Sequence, residues 1–383
     1  MPSIYVHIPF CVEKCSYCNF FSVTDFSLQE LFVKSLYKEM DFRADYLQCQ
    51  SADSLYFGGG TPSVFSPETL EKIIRQTDAV FGLKPNAEIT LEANPNNLNE
   101  DYFKRLSQTS INRLSIGIQS FFDEHLAVLG RIHSGKQAEF CLELAQKYNF
   151  SNLSIDLMYG YPLLTENQWI TNLQKVQNVN HLSCYSLSLE PDSVLYNEIK
   201  KGKYRLPTEE MVLNQYNTLK NFAKKNDFIH YEISNFCKPN QFSRHNSAYW
   251  KNEKYIGLGA GAHSFNGDER QWNIANLKNY IDVFSSINSF CEWKKSENRL
   301  YEKEFLTPVT KLNEYVMTSL RTCWGCDLDF VKTNFGDDFL SLLLQKINRL
   351  ARNLYFIENH HLILSDKGFL LADGIAGELF FGE

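Results

Sequence analysis

Short apolar runs alternate with longer amphipathic segments along the first 225 residues of the chain. The apolar runs are rich in Val, Ile, Leu and aromatic residues and predict six strands, at 3–10, 53–59, 87–93, 113–119, 152–158 and 182–189. The segments between them predict six helices, at 28–47, 67–81, 99–108, 136–148, 166–177 and 208–225. Strands joined by helical crossovers indicate an α/β fold with a parallel sheet, and six successive units are typical of a complete or partial β/α barrel. A doubly wound open sheet fits the same pattern.

The pattern changes after residue 225. A segment rich in Asn, His, Tyr and Gly (228–275) and a polar bridge (285–308) precede helical stretches from about 310 to 352, two short strands (355–359 and 362–365) and a helix from about 367. Helices followed by a small hairpin predict a C-terminal α+β domain of winged-helix type. We therefore predict a barrel domain at 1–228, an extension and linker at 229–308, and a C-terminal domain at 309–383.

The composition is that of an ordinary globular protein, since 44% of the 383 residues are hydrophobic and 22% are charged. The net charge of −7 argues against nucleic acid as a partner, because binding a phosphate backbone needs an excess of Lys and Arg. No apolar stretch is long enough for a spanning helix and the chain does not start with a signal sequence, so we expect a cytoplasmic protein that is not integral to a membrane. Ten cysteines in a reducing compartment do not indicate a disulfide framework, and their clustering suggests a metal.

Three of these cysteines, Cys11, Cys15 and Cys18, lie within eight residues directly after the first predicted strand. Structural zinc normally takes four closed ligands, often as two distant pairs, and no partner pair is evident here. A three-cysteine loop instead leaves one iron of a [4Fe–4S] cluster without a protein ligand, and that iron can hold a small molecule. Three buried or zinc-bound cysteines are the alternative.

The spacing C-x3-C-x2-C, with the aromatic Tyr17 before the third cysteine, resembles the radical S-adenosylmethionine (SAM) superfamily. The resemblance implies a partial (β/α)6 barrel in which SAM chelates the free iron of the cluster. It carries SAM-contacting roles to nine positions: Tyr5, Tyr17, Gly59, Gly60, Thr61, Glu92, Gln119, Arg131 and Asp156. In these roles the glycine run contacts the methionyl amino group, Arg131 offers a planar fork to the carboxylate and Asp156 accepts from a ribose hydroxyl.

Further motifs narrow the resemblance. The segment Tyr5 to Cys11, together with Gly-Gly-Gly-Thr-Pro, Gly-Ile-Gln-Ser-Phe and Ile-Asp-Leu-Met-Tyr-Gly, resembles the oxygen-independent coproporphyrinogen III dehydrogenase group over at least residues 3–190. Those enzymes carry another cysteine two residues after the triplet, where this chain has Phe20. His245-Asn246-Ser247-Ala248-Tyr249-Trp250 resembles the H-N-x-x-Y-W motif of the related heme chaperones, the HemW type. The likeness implies that His245 is an axial ligand of heme and that Tyr249 and Trp250 cover the macrocycle; His7, His133 and His263 are alternative ligands.

The resemblance therefore implies a heme chaperone that binds heme, receives it from a heme donor and delivers it to respiratory heme proteins. The alternative is an enzyme that decarboxylates coproporphyrinogen III oxidatively to protoporphyrinogen IX by means of a 5′-deoxyadenosyl radical. A radical enzyme with an unrelated substrate is a third hypothesis, because a barrel does not define its substrate. Whether the chain is an enzyme stays open at this stage.

Seven cysteines lie outside the triplet. Cys323 and Cys326 form a C-x-x-C pair, which we interpret as two incidental thiols because no second pair completes a zinc site. The others are expected to pack as small hydrophobic side chains: Cys49, Cys141, Cys184, Cys237 and Cys291.

Overall fold

The computed structural model describes residues 2–48, 50–191 and 193–382. The strands are β1 (Ser3–Ile8), β2 (Ala52–Gly59), β3 (Leu83–Ala93), β4 (Arg113–Gln119), β5 (Leu153–Tyr159), β6 (His181–Ser186), β7 (Ile229–Glu232), β8 (Asn235–Cys237), β9 (Tyr255–Leu258), β10 (His263–Phe265), β11 (Glu269–Asn273), β12 (Tyr301–Phe305), β13 (Cys326–Asp327), β14 (Tyr355–Glu358) and β15 (His361–Leu364).

The helices are α1 (Gln29–Phe42), α2 (Pro67–Phe81), α3 (Glu100–Leu106), α4 (Asp123–Val128), α5 (Gly135–Lys147), α6 (Glu166–Lys175), α7 (Val194–Lys200), α8 (Glu209–Lys225), α9 (Arg244–Trp250), α10 (Leu277–Ser286), α11 (Phe290–Ser296), α12 (Pro308–Leu320), α13 (Leu328–Phe335), α14 (Asp337–Ile347), α15 (Asp366–Phe369) and α16 (Ala372–Leu379). The six strands and six helices predicted before residue 225 are all present, with ends displaced by a few residues. The short helices α4 and α7 were not predicted, because each is too short to show a full helical period.

Twelve strands form one sheet in the order β12-β11-β10-β9-β1-β2-β3-β4-β5-β6-β8-β7. Strands β1 to β6 are parallel neighbours in chain order, as the βαβ pattern predicted. The segment 229–308 extends this sheet at both edges: β8 and β7 follow β6 in antiparallel pairing, while β9 pairs with β1 in parallel and leads into the antiparallel strands β10 to β12. The fold is therefore a partial (β/α)6 barrel whose open edges are continued by extra strands. The domain boundaries themselves stay a prediction.

The two faces of the parallel strands differ in chemistry. In β4, the apolar side chains Leu114, Ile116 and Ile118 belong to the core that also contains buried side chains of α1, α2, α3 and α5. The alternating positions Ser115 and Gly117 line a cavity on the other face. Successive strand residues point to opposite faces, so one face of each strand builds the core and the other is available for polar chemistry.

The C-terminal part has a core of its own, built from α12 to α16 and the three-stranded sheet β13-β15-β14. It contacts the β7–β8 hairpin through two backbone hydrogen bonds, from Ile233 N–H to the Arg321 carbonyl at 3.2 Å and from Cys323 N–H to the Tyr231 carbonyl at 2.9 Å. Within the described residues, no helix has the length and apolar character needed to cross a membrane.

Candidate functional site

The cysteine loop follows β1 and is held in place by backbone contacts at both ends. Cys11 N–H donates to the Val23 carbonyl at 3.0 Å, and Ser16 donates from its N–H to the Leu129 carbonyl at 3.1 Å and from its hydroxyl to the Val128 carbonyl at 2.8 Å. The next residue after Leu129, Gly130, has φ of +65° and approaches so closely that a Cβ atom would lie 2.7 Å from the Ser16 nitrogen. A side chain at position 130 would displace the loop.

The three thiols face the same space but do not converge on one point. Among the residues that the structure describes, no three His, Cys, Asp or Glu side chains form a group that could hold a single metal ion. A cubane cluster makes a different demand, because each cysteine binds its own iron. Burial raises the pKa of Cys18 and the neighbouring Cys15 and Cys11 thiols raise it further, as expected for thiols placed near one another without a metal.

Two donors already point at the sulfur atoms. The Thr61 hydroxyl lies 3.4 Å from Cys11 Sγ, and an Nη atom of Arg131 lies 3.4 Å from Cys15 Sγ. Donors at sulfur are the usual outer contacts of a thiolate-bound cluster. The loop and its surroundings therefore fit a [4Fe–4S] cluster.

A cavity of about 710 Å³ opens beside the cysteine loop, at the carboxyl ends of the parallel strands. We call it the first cavity. The loop and eight of the nine predicted SAM contacts line it: Cys11, Cys15, Cys18, Tyr17, Gly59, Gly60, Thr61, Glu92, Gln119, Arg131 and Asp156. Residues from six separate segments of the chain meet here because parallel strands end at the same edge of the sheet.

The glycines at the end of β2 leave no room for a side chain. Gly59 has φ of +105°, and a Cβ atom there would lie 2.5 Å from the His7 ring. A Cβ atom on Gly60 would lie 2.7 Å from the Phe10 carbonyl oxygen. The backbone can therefore lie directly at the wall of the first cavity, with its polar groups accessible to a ligand.

Two buried carboxyl groups lie in the first cavity. Burial raises the pKa of Glu92 to about 7, and the nearby Asp156 raises it too, while the hydrogen bond from the Tyr56 hydroxyl at 2.7 Å opposes the shift. Burial likewise raises the pKa of Asp156 to about 6, against the hydrogen bond from the Ser115 hydroxyl at 3.1 Å. Such carboxyl groups are costly to ionise without a cationic partner, so they are suited to a ligand that brings a positive charge or hydrogen-bond donors.

Arg131 brings a positive charge to the same cavity. Its guanidinium bonds Asn94 Oδ1 at 2.6 Å and the carbonyl of Gly117, in addition to Cys15. Gln119, at the end of β4, has φ of +66° and accepts a hydrogen bond from the Tyr185 hydroxyl at 2.9 Å. Non-glycine residues rarely adopt this left-handed backbone conformation, and those that do are often found at functional sites.

The ninth predicted SAM contact, Tyr5, does not line the first cavity. Its hydroxyl lies 3.1 Å from His7 Nδ1, and His7 Nε2 lies 2.9 Å from the Phe21 carbonyl oxygen. His133 Nε2 bonds the Ile118 carbonyl at 3.1 Å. His7 and His133, two of the alternative heme ligands, thus each bond a backbone carbonyl.

The helix α9 carries the H-N-x-x-Y-W motif and contacts β2 from the polar face of the sheet. His245 is 1% exposed and stacks on Tyr56 with ring centroids 4.8 Å apart. Its Nδ1 lies 2.8 Å from the Ser54 hydroxyl, and its Nε2 lies 2.9 Å from the Tyr249 hydroxyl. Both ring nitrogens are therefore engaged, and burial lowers the pKa of His245 to about 3, which keeps the ring neutral.

A second cavity, of about 850 Å³, lies on the other side of the cysteine loop, between the sheet extension and α12. Tyr5, Tyr249 and Trp250 line it. Six further lining residues had not been predicted to lie near them: Phe21, Tyr255, His263, Phe265, Arg270 and Met317. It shares five lining residues with the first cavity: Asn19, Phe20, Ser234, Asn235 and Asn246. The sequence predicted His263 only as an alternative heme ligand. The sequence feature that could have drawn attention to it is its position between Gly259-Ala260-Gly261 and Gly267, glycines that indicate turns on either side.

The remaining cysteines are mostly structural. Cys141, Cys184 and Cys237 are buried, as predicted, whereas Cys291 is exposed, so that prediction was wrong; it lies on the open side of the short helix α11. Cys49 lies outside the described residues. Cys326 is buried and Cys323 half-buried, and both are free thiols.

Known proteins resemble this chain in sequence and in fold. The model of the radical SAM superfamily matches residues 5–176, and that of the HemN C-terminal domain matches residues 306–371. The heme chaperone HemW of Bacillus subtilis is 36% identical over 391 residues and covers 100% of both chains; that of Lactococcus lactis is 31% identical over 377 residues, 97% of this chain and 96% of its own. The solved structure of coproporphyrinogen III oxidase from Escherichia coli, a radical SAM enzyme, superposes with a TM-score of 0.82 at 21% identity over 99% of this chain and 90% of that one. That structural likeness supports the fold.

Proposed function

Because the chain belongs to the HemW group of the radical SAM superfamily, we propose that it binds a [4Fe–4S] cluster, SAM and heme and delivers heme to an acceptor protein. The observation that carries this proposal is the pair of adjoining cavities. One is lined by three cysteines and buried charged groups, the other by aromatic rings, and both are bounded by Phe20. A polar cofactor and a flat apolar cargo can therefore be held on either side of one wall.

In this proposal Cys11, Cys15 and Cys18 each hold one iron of the cluster, and the fourth iron is left to SAM. When bound, the reduced cluster can supply the electron that cleaves the sulfonium of SAM to a 5′-deoxyadenosyl radical. Thr61 and Arg131 stabilise the thiolates from outside the cluster, because each places a hydrogen-bond donor 3.4 Å from a sulfur atom.

The charged groups of the first cavity match the charges of SAM. Glu92, once ionised, would accept the methionyl ammonium together with the backbone at Gly59 and Gly60, and Arg131 would pair with the carboxylate. Asp156 would accept from a ribose hydroxyl. Tyr17, Thr61 and Gln119 complete the wall around the ligand. Tyr5 lines the second cavity, and both its ring and Glu92 lie against Gly58, so a contact between Tyr5 and SAM would require the ligand to extend past Gly58.

For heme, Tyr249 and Trp250 supply aromatic surface to the second cavity. Ligation of the iron by His245, which the motif implies, stays a prediction. It would require the imidazole to give up its hydrogen bond with Tyr249 and to become accessible, because it is 1% exposed. We also propose that delivery takes place in the cytoplasm, where thiols stay reduced, from a heme donor to respiratory heme proteins.

The test is to reconstitute the cluster anaerobically in the full chain and to measure heme binding, heme transfer to an apo-heme protein and coproporphyrinogen III decarboxylation side by side. We expect stoichiometric heme binding, transfer to the acceptor and no turnover of coproporphyrinogen III. Failure to bind heme would refute the proposal. Decarboxylation at an enzymatic rate would instead favour the dehydrogenase activity, which Phe20 disfavours because it replaces the further cysteine of those enzymes.

A further inference from the structure

The second cavity has walls suited to a flat aromatic ligand. Seven of its lining residues are Phe, Tyr or Trp, contributed by the cysteine loop, β1, α9 and the sheet extension. Phe20 is 69% exposed at the boundary of the two cavities, an unusual position for a large apolar side chain in a polar loop. An apolar surface of this kind inside a cavity marks a binding site rather than a folding feature.

A histidine ligates heme iron through a neutral ring nitrogen, and the histidines near the cavities differ in whether such a nitrogen is free. His7 and His245 have hydrogen bonds at both ring nitrogens. His133 is 3% exposed and does not line the second cavity. The structure therefore leaves these three imidazoles unsuited to iron unless the surroundings rearrange.

His263 is different in each respect. It lines the second cavity, it is exposed, and its imidazole has no hydrogen bond to any residue in the part of the chain that the structure describes. Its ring stacks on Trp272 with centroids 6.1 Å apart and an interplanar angle of 26°. Partial burial lowers the pKa of His263, and Arg270 lowers it further, so the ring is neutral at physiological pH.

The backbone around His263 is fixed. His263 and Trp272 are paired residues of the antiparallel strands β10 and β11. The His263 carbonyl lies so close to Gly257 that a Cβ atom on that glycine would approach it to 2.0 Å. A ligand placed on paired strands is held more firmly than one on a free loop.

We propose that the second cavity is the heme site and that His263 is the axial ligand of the heme iron. The macrocycle lies between the aromatic walls, with Phe20 at the edge nearest the cysteine loop, and the free imidazole nitrogen forms the bond to iron. His245 acts as a positioning residue, because its hydrogen bond holds Tyr249 in the wall of the cavity. This inference rests on the proposed heme-binding function.

The experiment is a titration of the reconstituted full chain with hemin and, in parallel, with iron-free protoporphyrin IX, followed by absorption and electron paramagnetic resonance spectra. In His263→Ala we expect heme affinity to fall by at least about tenfold with loss of the imidazole-ligated spectrum, while protoporphyrin IX binds within about twofold of the unsubstituted chain. The matched control is His360→Ala, which removes an exposed histidine of the C-terminal part that pairs with Asp329 and leaves both porphyrins unaffected.

A second variant provides a positive signal. In His263→Cys we expect a thiolate-ligated heme spectrum, which requires that position 263 itself face the iron. His245→Ala should keep an imidazole-ligated spectrum, with protoporphyrin IX and heme weakened equally if Tyr249 is displaced.

Three outcomes would overturn the inference: an unchanged heme spectrum in His263→Ala, no thiolate signature in a folded His263→Cys, or loss of iron ligation in His245→Ala alone. In each case the unsubstituted chain still binds heme, so the proposed function stands. If the unsubstituted chain does not bind heme, the proposed function fails and the inference fails with it.

Discussion

The two cavities on either side of the cysteine loop are lined by side chains of different chemistry. The first is lined by polar and charged groups at the ends of parallel strands, where Glu92, Asp156 and Arg131 are held by short hydrogen bonds. The second is lined by aromatic rings from β1, the end of the cysteine loop, α9 and the extension, and by α12 of the C-terminal part. The proposed cofactor site thus lies mainly on the parallel strands, whereas the proposed heme site also needs the segments that follow residue 228. Changes in one should leave the other intact, and the following predictions test that separation.

The largest effect is expected from Cys15→Ala, which should abolish cluster assembly. Two cysteines leave two irons of a cubane without protein ligands, so iron and sulfide per chain should fall to background and SAM binding should be lost with them. Heme binding in the second cavity should persist. Cys291→Ala, at an exposed thiol, is the control and should assemble a normal cluster. Loss of heme binding together with the cluster would show that the cavities are not independent.

The attachment of the extension to the barrel depends on Glu39, a buried carboxylate of α1. Its oxygens accept from Arg43 at 3.0 Å, from Asn273 at 2.7 Å, from Gly259 N–H at 2.7 Å and from the Tyr280 hydroxyl at 2.7 Å. Glu39→Leu would leave the buried Arg43 charge without its carboxylate counter-charge, so we expect the free energy of unfolding to fall by roughly 3–5 kcal/mol. Chemical denaturation measures this loss.

A matched comparison for Glu39→Leu is Glu100→Gln, which removes an exposed ion pair with Lys147 and should change the unfolding midpoint little. If the folded Glu39→Leu chain retains the cluster and SAM but binds heme poorly, the extension alone has been loosened. Equal losses at both cavities would contradict the proposed division.

The pH dependence of ligand binding should also differ between the cavities. The pKa of Glu92 is about 7 in the free protein, so at pH 6 only about a tenth of it is ionised. Because the ammonium of SAM needs the ionised form, we expect SAM affinity to fall by about tenfold from pH 8 to pH 6. Isothermal titration across this range measures the change, and Glu92→Gln should remove the pH dependence while weakening SAM binding throughout. A flat profile in the unsubstituted chain would remove Glu92 from the ammonium site.

The same shift has a consequence for stability. The pKa of Glu92 rises from its ordinary 4.5 to about 7 on folding, so the folded protein binds an extra proton between these values. Stability therefore falls as the pH rises from about 4.5 to 7, and the total loss is on the order of 3 kcal/mol. Glu92→Gln should be less sensitive to pH than the unsubstituted chain over this range, as thermal denaturation at a series of pH values can test.

The smallest effect is expected from Phe20→Ala. Removing this exposed ring should weaken heme and protoporphyrin IX alike by roughly 1 kcal/mol, because apolar surface covered by the macrocycle is lost. SAM binding should be unchanged within about twofold. Phe305→Ala removes a ring that is 76% exposed on the edge strand β12 and outside both cavities, and it should have no effect on either ligand. If Phe20→Ala weakened SAM binding and left heme binding normal, the prediction that Phe20 contacts the heme would be wrong.

Much of the first cavity followed from local pattern. The alternation in β4 and the glycines after β2 identified strand ends, and parallel strands bring their ends together whatever the loops between them do. The structure accordingly brings Gln119 and Asp156 to the first cavity, and their contact with SAM stays a prediction. Tyr5 lines the second cavity rather than the first, and its contact with SAM stays a prediction, because the sequence alone does not show which cavity a side chain near the middle of β1 faces.

The second cavity was not predictable in the same way. Strands of three to five residues, such as β8 to β12, are too short for a clear period, and the helix α9 has seven residues. The motif on α9 predicted His245 as a ligand. The burial of its ring depends on Tyr56 and Ser54, which lie on β2, far earlier in the chain.

The amino-acid sequence by itself determined the order of the six βα units, because this depends on periodicity along the chain, and its motifs carried the resemblance to the group of proteins to which the chain belongs. Only the tertiary structure decided which of the candidate histidines is exposed and has no hydrogen bond on its ring within the described residues. Hydrogen bonding and exposure of an imidazole are properties of its neighbours in space, and those of His245 and His263 come from distant strands.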